Sequence, residues 1–147
     1  QIAYRDLKPE NLLMDATGYI KVIDFGFSTV CQPGKRLKVF CGTPSYMAPE
    51  IVRRTEYEGK PVDMWSMGCI LAELLLGKPV FPGTSTLNQL DRVMEVTGRP
   101  SQEDIDSINS PLAATMLESL PATKSKKLRD IFPTASDDAL DLLRNLL

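Results

Sequence analysis

The chain has 147 residues, 43% of them hydrophobic and 24% charged, with a net charge of −2. That length suits one modest domain, the composition excludes disorder, and the near-neutral balance gives no reason to expect nucleic acid or a membrane surface as a partner. Histidine is absent, which removes Ser-His-Asp and Cys-His hydrolase mechanisms and most catalytic metal sites.

The first polar stretch is "YRDLKPENLL", Tyr4 to Leu13. It is too charged for a core strand and too irregular for a helix face. "LLM" (Leu12 to Met14) and "YIKVI" (Tyr19 to Ile23) follow as β-rich runs around the turn "DATG" and predict a hairpin. Asp24 to Glu50 shows no sustained period and holds Gly26, Pro33, Gly34, Gly42, Pro44 and Pro49, so it predicts a long loop. From Pro61 to Gly77 the pattern is helical and apolar nearly all round, predicting a central helix over about 61–76 that is buried on every side, with Met64, Trp65 and Met67 as core packing. Ser85 to Gly98 predicts a second helix capped by Ser85. Weaker helical patterns follow at Ser101 to Ile108 and Pro111 to Leu120. The last helix starts at Ser136, with Leu140, Leu143 and Leu147 at helical spacing. The basic run Lys124 to Lys127 reads as a solvated loop.

Three widely spaced cysteines, Cys31, Cys41 and Cys69, suggest neither a disulfide framework nor a zinc site. Cys41 reads as a small apolar filler. Together they point to a reducing compartment, cytoplasmic or nuclear. The longest apolar run, "MGCILAELLLG", is interrupted by Glu73 and is too short to cross a bilayer. The chain opens at Gln1, almost inside its most charged motif, and reads as a piece of something longer.

The second polar cluster is "DFG", Asp24 to Gly26, at the end of the second β-run. A hairpin between Asn11 and Asp24 turns their side chains back towards one another. Both then offer hard oxygen ligands of the kind Mg²⁺ accepts. Asp6 on the same rim can take a proton from a hydroxyl, Lys8 can steady a phosphate in transfer, and Gly26 relieves strain at the sharp turn.

In this order "YRDLKPEN", "DFG" and "GTPSYMAPE" resemble the catalytic and activation segments of eukaryotic protein kinases of the serine/threonine type. The resemblance implies an α+β fold: the mainly helical C-terminal lobe of the kinase domain, with a catalytic loop over 4–11, a short hairpin, an activation segment over 24–50 and a helical remainder with an insert over 85–147. It implies Asp6 as catalytic base, Asn11 and Asp24 as Mg²⁺ ligands for ATP, and Lys8 beside the transferred phosphate. It implies Thr43 as the threonine bonding both Asp6 and Lys8, and Asp63 as the acid anchoring the catalytic loop. Arg5 would belong to a pocket that grips a phosphorylated loop residue in many relatives. Here Val39 stands in that region and no hydroxyl lies between Thr29 and Thr43, which predicts a loop not switched on by a single phosphate. Glu50 would be a buried acid whose arginine partner lies beyond Leu147, at a cost of roughly 3–5 kcal/mol.

Two features depart from the pattern. Tyr4 stands where many kinases have His, a substitution that resembles the cyclic-nucleotide-dependent group, whereas "CILAELLLGKPVFPGTSTLNQLDRVMEVTGRPS" resembles the MAP-kinase and cyclin-dependent-kinase group. The small lobe, with its glycine-rich loop and strand lysine, is expected upstream of Gln1, so this stretch alone is expected to be inactive. The implied partners are protein substrates with Ser or Thr acceptors and that small lobe. A truncated kinase-like scaffold without catalysis is the alternative of another class, and a small-molecule phosphotransferase a third. Retention of Asp6, Lys8, Asn11 and Asp24 disfavours the scaffold, and "GTPSYMAPE" disfavours the small-molecule enzyme.

Overall fold

Hydrogen bonds to one carboxylate set the first reversal of the chain. Asp15 Oδ1 accepts from the Thr17 and Tyr19 backbone N–H groups at 2.9 and 3.0 Å, and Gly18 takes a φ of 87° that a side chain would resist. The computed structural model describes residues 1–52, 56–107, 115, 117, 119–120 and 125–147. Within it, β1 (Ile2–Ala3) pairs antiparallel with β4 (Thr29–Val30), and β2 (Leu12–Met14) pairs antiparallel with β3 (Ile20–Val22). The second pair is the hairpin predicted from sequence, with Leu12 opposite Val22 and Met14 opposite Ile20. Its strands bury little. Leu13, Met14 and Ile20 are all exposed, as are Tyr19 beside them and Phe25 just beyond.

The stretch from Asp24 to Glu50, expected to be loop, has regular pieces. β4 lies in it, a 3-10 turn covers Pro44–Tyr46, and α1 (Pro49–Val52) begins at its end. These pieces are two to four residues long, too short to leave a period in the sequence.

The central helix α2 (Gly59–Leu76) starts two residues earlier than predicted and ends on Gly77, whose φ of 72° and N–H bond to the Glu73 carbonyl close it. It is not buried all round. Val62, Trp65, Ser66, Cys69, Ile70 and Ala72 face the interior, while Met64, Met67 and Leu74 face outward. Trp65 is core as expected and stacks on the fully buried Phe81 at 5.8 Å. Met64 and Met67 are not. A helix packed against partners on one side buries a stripe, whatever the chemistry of its other face. Burial pushes the Cys69 thiol up to about 12, so it fills space as a neutral group.

Ser85 caps α3 (Thr86–Thr97) by accepting from Asn88 N–H, as predicted, and Ser136, expected as the start of the last helix, caps α6 (Asp137–Leu146) by accepting from Ala139 N–H, both at 3.2 Å. Between them lie α4 (Gln102–Ser107), where the Ser101 to Ile108 pattern falls, and α5 (Leu128–Ile131). Most of the Pro111 to Leu120 prediction lies outside the described residues. Leu140 and Leu143 pack with Phe132 and Ala135 against Ala72 of α2, forming a second core beside the one around Trp65. Among the described residues no helix is long and apolar enough to cross a membrane.

Candidate active site

Four polar side chains from two stretches of the chain meet: Asp6, Lys8 and Asn11 from the first, Thr43 from the second. Lys8 and Asn11 bracket the 3-10 turn Pro9–Asn11, which Pro9 favours by presetting its φ. Asn11 Nδ2 donates to the Asp6 carbonyl at 3.1 Å and to Asp6 Oδ2 at 3.4 Å. Thr43 reaches in from the distant loop: its hydroxyl donates to Asp6 Oδ1 at 2.7 Å and accepts from Lys8 Nζ at 2.9 Å. Lys8 Nζ also lies 3.3 Å from Asp6 Oδ2. Both Asp6 oxygens are therefore engaged and the residue is buried, as is Asn11. A buried carboxylate needs such donors, or ionisation would be too costly there.

The loop carrying Asp6 is hung from α2. Asp63 accepts from the Tyr4 and Arg5 backbone N–H groups, one on each oxygen, at 2.8 and 2.7 Å. Arg5 adopts a left-handed φ of 70°, a conformation a non-glycine residue holds only when its surroundings enforce it. Gly42 presses close to the same residue: a Cβ there would lie 2.7 Å from the Arg5 carbonyl oxygen. Its φ of 112° also favours glycine.

Tyr4 joins the two polar clusters. Its hydroxyl contacts the Ile23 carbonyl and lies 2.9 Å from the Asp24 carbonyl, and its ring meets Phe25 edge-on at 5.5 Å. Burial first, then the Asp24 and Asp6 carboxylates, raise this phenol above its ordinary pKa. Asp24 itself holds a left-handed φ of 59°, and its Oδ1 accepts from Gly26 N–H at 3.2 Å. The strained residue is thus Asp24, not Gly26 as the sequence suggested. A short acid that can bond its own backbone tolerates this region better than most side chains.

The predicted set is brought together unequally. Asp6, Lys8, Asn11 and Thr43 are in direct hydrogen-bond contact. Asp24 is attached to the same rim through Tyr4 and through the Ile23 N–H, which donates to the Asn11 carbonyl at 3.0 Å, while its carboxylate is exposed and turned onto Gly26. Glu50 is only partly buried and forms no ion pair among the described residues, so the expected penalty of a sealed unpaired charge is not met.

Arg5 has a different set of contacts from those read in the sequence. Nε donates to the Phe27 carbonyl at 2.7 Å and Nη1 to the Tyr57 hydroxyl at 3.1 Å; that hydroxyl in turn donates to the Val39 carbonyl at 2.7 Å. Leu37 and Tyr57 exchange both backbone hydrogen bonds. Tyr57 is buried, and sequence reasoning missed it. Its only local signal was an aromatic residue ahead of the central helix.

The donor set fits a hard divalent cation. Asn11 spends its amide nitrogen on Asp6, which leaves Oδ1 as a neutral oxygen ligand, and Asp24 adds an exposed carboxylate. No cluster of three or more His, Cys, Asp or Glu occurs among the described residues. One or two protein oxygens completed by substrate phosphates and water is the pattern Mg²⁺ uses.

Comparison with known proteins gives one family. The family model described as the protein kinase domain matches residues 1–147. Extracellular signal-regulated kinase 2 of Dictyostelium discoideum is 50% identical over 99% of this chain and 42% of its own length. Mitogen-activated protein kinase mpkC of Emericella nidulans is 41% identical over 99% of the chain and 35% of its own length. Mitogen-activated protein kinase 15 of Caenorhabditis elegans is 40% identical over 99% and 33%. The chain therefore spans well under half the length of these curated relatives, and the likeness covers its N-terminal and C-terminal halves alike.

Proposed function

Because the chain belongs to the protein kinase domain family, we propose that it is the helical C-terminal part of a serine/threonine kinase catalytic domain, transferring the γ-phosphoryl group of ATP to protein hydroxyls in the full-length protein. The observation that carries this reading is the Asp6 carboxylate, buried yet held on both oxygens by Thr43, Lys8 and Asn11. A base fixed in this way can point one lone pair at an incoming Ser or Thr hydroxyl. As the acceptor oxygen bonds the γ-phosphorus and the β–γ bridging P–O bond breaks, the hydroxyl proton passes to Asp6. Lys8 places a positive charge beside the group in transfer. Asn11 Oδ1 and the Asp24 carboxylate would hold Mg²⁺, which when bound neutralises triphosphate charge. MAP-kinase-like signalling is the context that the relatives' names support.

The test is transfer of label from γ-labelled ATP by the full-length protein to a degenerate peptide library with central Ser, Thr or Tyr. Label is expected on Ser and Thr peptides. Label on Tyr peptides alone, or on small molecules alone, would overturn the reading.

The Arg5–Tyr57–Val39 relay favours a second proposal on the same site. Arg5 already has a carbonyl and a phenol to bond, and the loop strand at Leu37 is already paired to Tyr57. The loop is thereby tied down by a carbonyl and a phenol, beside the exposed Lys38–Glu56 ion pair at 2.7 Å, in a stretch with no hydroxyl of its own between Thr29 and Thr43. Phosphatase treatment of active full-length protein is expected to leave its activity unchanged. Phosphopeptide mapping that finds a stoichiometric activating phosphate at Ser28, Thr29 or Thr43 would defeat this.

A further inference from the structure

The turn that presents Thr43 is anchored from two sides. From beneath, α2 holds Tyr46: Ser66 Oγ donates to its carbonyl at 2.8 Å, and its hydroxyl donates to Glu73 Oε2 at 2.5 Å. From the outer side, α3 supplies Gln89. The Gln89 Nε2 donates to the Pro44 carbonyl at 3.1 Å across 45 positions of sequence, on the same oxygen that takes Met47 N–H at 3.2 Å. The other end of that amide accepts from Gly83 N–H at 2.9 Å.

Chemistry fixes the orientation of this amide. Turned over, it would set its NH₂ against the Gly83 N–H and its oxygen against the Pro44 carbonyl, two repulsive contacts in place of two attractive ones. The backbone at Gly83 is shaped around it. A Cβ there would stand 2.1 Å from Gln89 Oε1 and 2.6 Å from its Cα, so any side chain at 83 evicts the glutamine. Pro44 follows Thr43 directly, and Thr43 spends its hydroxyl on Asp6. A shift of the Pro44 peptide is therefore felt at both the Thr43 contact and the surface of the loop.

We propose that Gln89 is a positioning residue for phosphoryl transfer: its amide clamps the Pro44 peptide and so holds the "GTPSY" segment, which the kinase resemblance implies is the peptide-docking loop, in the register that receives the acceptor peptide. This rests on the kinase reading above. It assigns α3 an indirect part in substrate engagement, through one side chain to which the sequence motifs give no role.

Gln89→Glu separates the two ends of the clamp. It keeps an acceptor for Gly83 N–H and turns a carboxylate oxygen onto the Pro44 carbonyl. In full-length protein, the KM for the best peptide of a degenerate Ser/Thr library is expected to rise about threefold to tenfold, the loss of one net hydrogen bond. The KM for ATP should stay at its wild-type value, and the thermal midpoint should fall by no more than a few degrees. Gly83→Ala, which displaces the same amide and also presses on the Gln89 backbone, should give the same split between the two KM values together with a lowered thermal midpoint. An unchanged peptide KM in both variants would overturn the positioning role, and so would an ATP KM that rises in parallel. A wild-type protein that phosphorylates no peptide would instead overturn the kinase reading, and the positioning role with it.

Discussion

Asp6→Asn in the full-length protein is expected to lower turnover about 10²–10⁴-fold, the contribution of a positioned general base. The substitution preserves shape, and the Thr43 hydroxyl can still donate to Asn Oδ1. What changes is the face now pointed at Lys8 and Asn11. There a carboxylate oxygen accepts from Asn11 Nδ2 and sits 3.3 Å from Lys8 Nζ; an amide NH₂ would meet donors there. The proton acceptor is lost and the local network is inverted at the same time. Single-turnover rates with saturating ATP and peptide separate this from a binding defect, since ATP affinity should be retained. A variant within tenfold of wild type would remove Asp6 from the role of base.

Asp63→Ala is expected to destabilise the full-length protein by about 3–5 kcal/mol, because two charge-assisted hydrogen bonds end together and leave two backbone donors unpaired. Both donors, Tyr4 N–H and Arg5 N–H, belong to the loop that carries Asp6. Arg5 would also be free to leave its left-handed conformation, taking its guanidinium away from Phe27 and Tyr57. Asp63→Asn keeps one acceptor oxygen and should lose about half as much. Urea unfolding measures both. A wild-type midpoint for Asp63→Ala would show that the loop holds itself without α2.

Much of this was legible in the chain because it is written in short, dense motifs. Asp6, Lys8 and Asn11 lie within one turn of each other, and the hairpin's Asp15-to-Gly18 turn is local chemistry, so both could be read directly. Thr43 and Asp63 were readable only through the resemblance; nothing in their own neighbourhoods says that they touch residues 37 and 59 positions away. Tyr57 and Gln89 were not legible at all, since apart from Arg5 their partners are backbone groups (the Val39 and Pro44 carbonyls and the Gly83 N–H), and a backbone group has no letter in the sequence. The error over Met64 and Met67 has a plain cause. Hydrophobicity records what a residue can bury, while the arrangement of neighbouring elements decides which face of α2 is covered.

Tyr4 sets the acid response of this rim. Many kinases place an imidazole at that position, and an imidazole gains charge between about pH 5 and 8. Here a phenol, raised above its ordinary value by burial and by nearby carboxylates, makes the joint to Ile23 and Asp24 and remains neutral over that whole interval. Since these 147 residues include no histidine, mild acidification adds no imidazolium charge at this joint, and the Tyr4 contacts to Ile23 and Asp24 persist unaltered through it.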